Sequence, residues 1–96
     1  MKVNLDRQFK GMDGKEMPPS TPNMRMSIAQ NLFNGHGVGN TQEEKFAAYK
    51  LCNRLMNEQG ELELDKDERK LILATACANL TPGAFGQIMD LLNTKE

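Results

Sequence analysis

The chain has 96 residues and a nearly balanced charge, 12 basic against 13 acidic side chains for a net −1. That length makes one domain with a small core, and the balance argues against a DNA footprint built on phosphate contacts. No apolar run approaches the roughly 18 residues of a membrane span, and MKVNLDRQF lacks the apolar stretch of a signal peptide, so a soluble cytoplasmic protein is expected.

Residues 1–17 open on an alternation of Val3, Leu5 and Phe9 with polar residues between, the period of a half-exposed strand. Asp13-Gly14 is a tight-turn pair, and a return strand over Lys15–Met17 would complete a β-hairpin. Pro18 and Pro19 end any ladder, because neither donates a backbone hydrogen bond.

Four helices are predicted after the hairpin, over 21–34, 41–59, 65–80 and 81–93. The first starts at Thr21-Pro22, a hydroxyl N-cap with proline at the first helical position. Its apolar stripe is Met24, Ile28 and Leu32, with Ala29 and Phe33 beside them, and Asn34-Gly35 ends it. GHGVGN, residues 35–40, reads as a flexible loop. Thr41 and Glu44 then fit a capping box for the second helix, whose stripe is Ala48, Leu51, Cys52 and Leu55 and which stops at Gly60.

ELEL, residues 61–64, suits a very short strand or an extended linker. Asp65 and Glu68 form a second capping box. The helix they open is apolar almost all round from Leu71 to Leu80, which suggests a central position or a subunit contact. Thr81-Pro82 starts the last helix, with stripe Phe85, Ile88, Met89 and Leu92; Gly83 and Gly86 would permit close packing on the helix before it. The expected fold is mainly α, an N-terminal β-hairpin followed by a small bundle of about four helices. Seven methionines, one tyrosine and no tryptophan make its core soft. A small core often gains buried area by association, so a homo-oligomer is expected, with the N-terminal β-element as the segment to exchange.

Few residues point to chemistry. GHGVGN is glycine-rich and leads into a helix N-terminus, but no buried strand precedes it, no Lys-Ser/Thr follows, and Glu43 and Glu44 occupy the place of a phosphate. His36, the single histidine, lies in that loop without a carboxylate or nucleophile held beside it. Cys52 and Cys77, each inside an apolar helical pattern, read as small buried hydrophobes. With one histidine and two distant cysteines no metal site is expected, and the absence of nucleophile-elbow, Walker and dinucleotide patterns argues for no cofactor and no enzymatic activity. The polar edge of the second helix, Lys45, Tyr49 and Arg54, is the better candidate surface, since Tyr and Arg are favoured at interface hot spots.

Three pieces of the chain together resemble a widespread group of small phage and prophage proteins. They are a short strand ending in FKGMDGK, a helix reading EEKFAAYKLCNRL with Glu44, Lys45 and Tyr49, and LDKDERKLI followed by TPGAFGQIMDLL with Pro82, Gly86 and Gln87. The resemblance implies a phage or mobile-element origin and action in the host cytoplasm, and it assigns no catalytic residue. Three functions compete. The first is an accessory protein that binds a host or phage protein. The second is an anti-defence protein binding a small nucleotide signal through GHGVGN, Arg25, Lys45 and Tyr49, and the third is a virion assembly component. The candidate binding residues are Arg25, His36, Lys45, Tyr49 and Arg54.

Overall fold

The computed structural model describes residues 1–93. In chain order these form β1 (Lys2–Asn4), α1 (Met24–Phe33), α2 (Gln42–Asn57), β2 (Glu61–Glu63), α3 (Lys66–Asn79) and α4 (Pro82–Asn93). The chain is mainly helical, four helices carrying a two-stranded antiparallel β-element at the N-terminal segment.

The partner of β1 lies far along the chain. Lys2, Val3 and Asn4 stand opposite Glu63, Leu62 and Glu61. Val3 and Leu5 on one side, and Leu62 and Leu64 on the other, alternate into the core and are all buried. Lys15–Met17 offers no such buried alternation, so it forms a turn rather than a sheet strand. The turn is closed by one bridge between Lys10 and Glu16 and by hydrogen bonds from Gly11 N to Lys15 O and from Met17 N to Phe9 O. Gln87 of α4 secures it. Its Oε1 accepts from Lys10 N and its Nε2 donates to Lys10 O, both at 2.8 Å, so one amide side chain takes the place of a neighbouring strand.

The helix starts follow their capping residues with one shift. α2 is capped by Thr41, whose Oγ1 accepts from Glu44 N, while its hydroxyl donates to the Glu44 carboxylate. α3 has the complete reciprocal box of Asp65 and Glu68. α1 begins at Met24 instead of near Thr21, because Pro18–Thr21 close a turn of their own and Asn23 takes over as cap, accepting from Met26 N. Leu5 O and Arg7 O accept from Arg25 N and Met24 N, which sews the start of α1 to the strand extension.

α1 and α2 pack antiparallel, with the Cys52 thiol donating to Ala29 O across their seam. The core gathers Leu5, Ile28, Leu51, Leu55, Leu62, Leu64, Ile72, Ile88 and Leu92, all fully buried. Four sequence expectations are corrected here. Phe33 points outward at 69% exposure, and Asn31 is buried in its place, its Oδ1 accepting from Asn79 Nδ2. α3 is not apolar-buried all round; Ile72, Thr75 and Ala76 face the core while Ala74, Cys77 and Ala78 face outward. Cys77 is therefore an exposed thiol, and Cys52 alone is buried, where loss of solvation raises its pKa. Gly83 and Gly86 face open space, since a Cβ on either would meet nothing within 4 Å.

The 35–40 loop is anchored more firmly than its glycines suggest. Gly35, at φ +82°, ends α1 with His36 N donating to Asn31 O and Gly35 N to Leu32 O, the paired bonds of a Schellman motif. Gly37, at φ +73°, rests on the backbone of α3, where a Cβ would come within 2.4 Å of Ala74 O. Val38 packs on the core. Gly37→Ala should therefore cost about 2–4 kcal/mol, from the left-handed backbone plus a backbone clash. Gly35→Ala, with the same sign of φ but no clash, should cost about 1–2 kcal/mol; urea denaturation of both variants checks the difference.

Candidate binding site

Where α1 ends and α2 begins, the anchored loop leaves an open cleft of about 570 Å³. Leu32 and Phe33 wall it on the α1 side, Val38 and residues 34–35 and 39–40 on the loop side, and Lys45, Ala48 and Tyr49 on the α2 side. The positions follow from helical spacing. Ala48 turns into the core, Lys45 and Tyr49 stand three back and one forward at its rim, and Phe33 ends α1 directly across.

Outside the lining, Phe46 stacks on Tyr49 with ring centroids 6.2 Å apart at 17°, and the Lys50 ammonium lies 5.0 Å above the Phe46 ring. Among the described residues Lys45 has no ion-pair partner. The Glu44 carboxylate is held back at the Thr41 cap, filling the space a side chain on Gly39 would need.

Of the five residues singled out in the sequence, two meet in this cleft, Lys45 and Tyr49. His36 sits in the loop, exposed, with only its backbone N–H engaged, and its side chain lies outside the lining.

Arg25 is a correction. It is 7% exposed, and all five of its guanidinium N–H groups are taken inside the chain. Nε and Nη2 grip the two carboxylate oxygens of Asp6, Nη1 donates to Leu55 O (3.0 Å) and Glu58 O (2.8 Å), and Nη2 donates to Gly60 O (2.8 Å). No donor is left for a ligand. Arg54 is likewise engaged, with Glu58, Glu68 and Glu63 O, and its hydrogen bonds to Glu58 and then Glu68 raise its pKa further.

Two residues of the surface were missed in the sequence, Phe33 and Phe46. Helical spacing, four residues after Ala29, sets Phe33 beside the apolar stripe. The signal of its exposure is its place as the last residue of the helix, next to the terminating Asn34-Gly35.

No group of three or more His, Cys, Asp or Glu side chains among the described residues could hold a metal ion, and no helix there is long and apolar enough to cross a membrane. Compared with protein-family models, curated proteins and solved structures, the chain matches none.

The separation of structural from available cations has a pH signature. The hydrogen bond from Arg25, then that from Gly60 N, lowers the pKa of Asp6 below its ordinary 3.8. A carboxyl that is more acidic when folded contributes stability above the unfolded pKa and loses it as pH falls through the folded one. Asp6→Asn should thus destabilise by about 1–2 kcal/mol at neutral pH, the lower range because the Asp6 side chain is 37% exposed to screening water. The difference from the unaltered chain should begin to shrink as pH drops below about 4 and be gone only once the pH lies below the lowered pKa of folded Asp6. Lys45→Ala should stay within about 0.5 kcal/mol at every pH, all read by chemical denaturation across a pH series.

Proposed function

We propose that this is a non-enzymatic binding protein that acts on another protein, in keeping with its resemblance to small phage and prophage proteins that work in the host cytoplasm. The observation that carries the reading is the cleft rim of Phe33, Tyr49 and the unpartnered Lys45, apolar ring surface beside a free cation. Exposed aromatics with an adjacent charge are the composition of interface hot spots. The cleft lining holds no carboxylate, thiol or imidazole side chain.

Affinity capture from host lysate with the intact chain, Phe33→Ala and Lys45→Ala tests this. One partner should be recovered with the intact chain and at least tenfold less with each variant. An identical set of proteins on all three baits would refute it.

A second reading, binding of a small nucleotide signal, is favoured by one feature: Lys45, Tyr49 and loop residues 38–40 line one cleft. A base could stack on Tyr49 while Lys45 meets phosphate. Arg25, fully engaged in the interior, takes no part in this reading. Titration calorimetry against a panel of cyclic nucleotides should give heat that Tyr49→Ala abolishes. A panel without heat removes the reading.

A further inference from the structure

Asn34-Gly35 is the only Asn-Gly pair in the chain, and it stands where α1 ends and the cleft begins. The pair carries a chemistry of its own. The Gly35 amide nitrogen, once it gives up its proton, can attack Asn34 Cγ and close a five-membered succinimide. Ammonia leaves from the side-chain amide, and solvent water then opens the ring at either carbonyl, giving aspartate or isoaspartate. Glycine permits this most freely, because it has no Cβ to crowd the attacking nitrogen. Asn34 is exposed, and no hydrogen bond among the described residues restrains its side-chain amide.

The folded backbone withholds the reaction. Ring closure needs Cβ and the Gly35 nitrogen on the same side of the Asn34 Cα–C bond. At ψ −2° that nitrogen instead eclipses the nitrogen of Asn34, with Cβ a tetrahedral angle away. Gly35 N is also occupied, donating to Leu32 O at 3.2 Å, while His36 N donates to Asn31 O at 3.1 Å. Turning Asn34 into the reactive conformation breaks both bonds. It also swings Gly37 off the α3 backbone, where there is no room for a Cβ, and lifts Val38 from the core. Opening so short a segment costs less than unfolding the helices. We propose that Asn34 is a self-modification site gated by this loop, inert while residues 35–38 are seated and converted to aspartate and isoaspartate when they lift.

Conversion alters the cleft more than the fold. Asn34 belongs to the lining, which in the unmodified chain holds Lys45 and no carboxylate. The aspartate product sets a negative charge in the same lining, at the C-terminal end of α1 where the helix dipole disfavours it. The isoaspartate product also inserts a methylene into the backbone between α1 and the loop. The site rests on backbone geometry, so it holds whatever the cleft binds.

Peptide mapping by mass spectrometry, on the full chain held at mildly alkaline pH, follows the fate of Asn34. Where opening and closing outpace the chemistry, the rate tracks the open fraction. Asn34 in the folded chain should convert about tenfold or more slowly than in the same chain unfolded in urea. It should still convert faster than the globally unfolded fraction, taken from the urea titration, allows. Gly37→Ala, which weakens the seat on α3, should raise the folded-chain rate about tenfold. Asn34→Gln should remove the mass gain at this position, because its ring would need six members and closes far more slowly. The comparison within the unaltered chain stands whether or not G37A folds. Equal rates in the folded and unfolded chain overturn the proposal. A folded-chain rate accounted for by global unfolding, or one unmoved by G37A, overturns the loop as its gate.

Discussion

The fold depends on how one buried guanidinium distributes its five N–H groups. Arg25 reaches the loop after β1 through Asp6, the last turn of α2 through Leu55 O and Glu58 O, and the turn into β2 through Gly60 O. Asp6 reciprocates by accepting from Gly60 N. Asp6 and the junction of α2 with β2 are distant in sequence. A lysine could not substitute, because its three donors lack the planar fork that meets a carboxylate in two parallel bonds while still reaching carbonyls on the other side. Burying that charge is tolerable because every donor is matched; an unmatched one would cost several kcal/mol.

From this hub the division of the surface follows. Arg25 and Arg54 hold the base of α2, engaging the end of α2, β2 and the start of α3, so the lower half of the helix is rigidly seated. Its upper half, with Lys45, Phe46, Tyr49 and Lys50, makes no ion pair to the rest of the chain among the described residues. A ring pair and a free ammonium held on a well-seated helix bind at little conformational cost, because the scaffold is ordered beforehand. The loop contributes in the same way. Gly37 against Ala74 and Val38 against the core fix the cleft's third wall.

Much of this architecture was legible locally. Thr41, Asp65 and Thr81 announce their helices because capping is a contest among backbone donors within one turn, decided by three or four adjacent residues. Alternation in KVNL marks a strand for the same reason, and in ELEL it suits a strand or an extended linker, of which the structure has the strand. What could not be read was their pairing with each other, since a strand's partner is chosen by which hydrophobic alternation closes over the common core. Phe33 and Cys77 were misassigned because periodicity gives the angle of a residue on its helix but not the width of the face that neighbours cover. Arg25 looked like a ligand residue because its charge is visible and its five acceptors are not.

The amino-acid sequence by itself determined the helical class, the caps of α2 and α3 and the apolar stripes of α1, α2 and α4, all properties of residues within a few turns of one another. Tertiary structure alone decided that β1 closes on β2, that Gly37 is held by α3, that two of the arginines are internal braces, and that Lys45 and Tyr49 share a cleft with Phe33. Each of these rests on groups brought together from remote parts of the chain. Their contact is a consequence of the whole core closing, and no local preference encodes it.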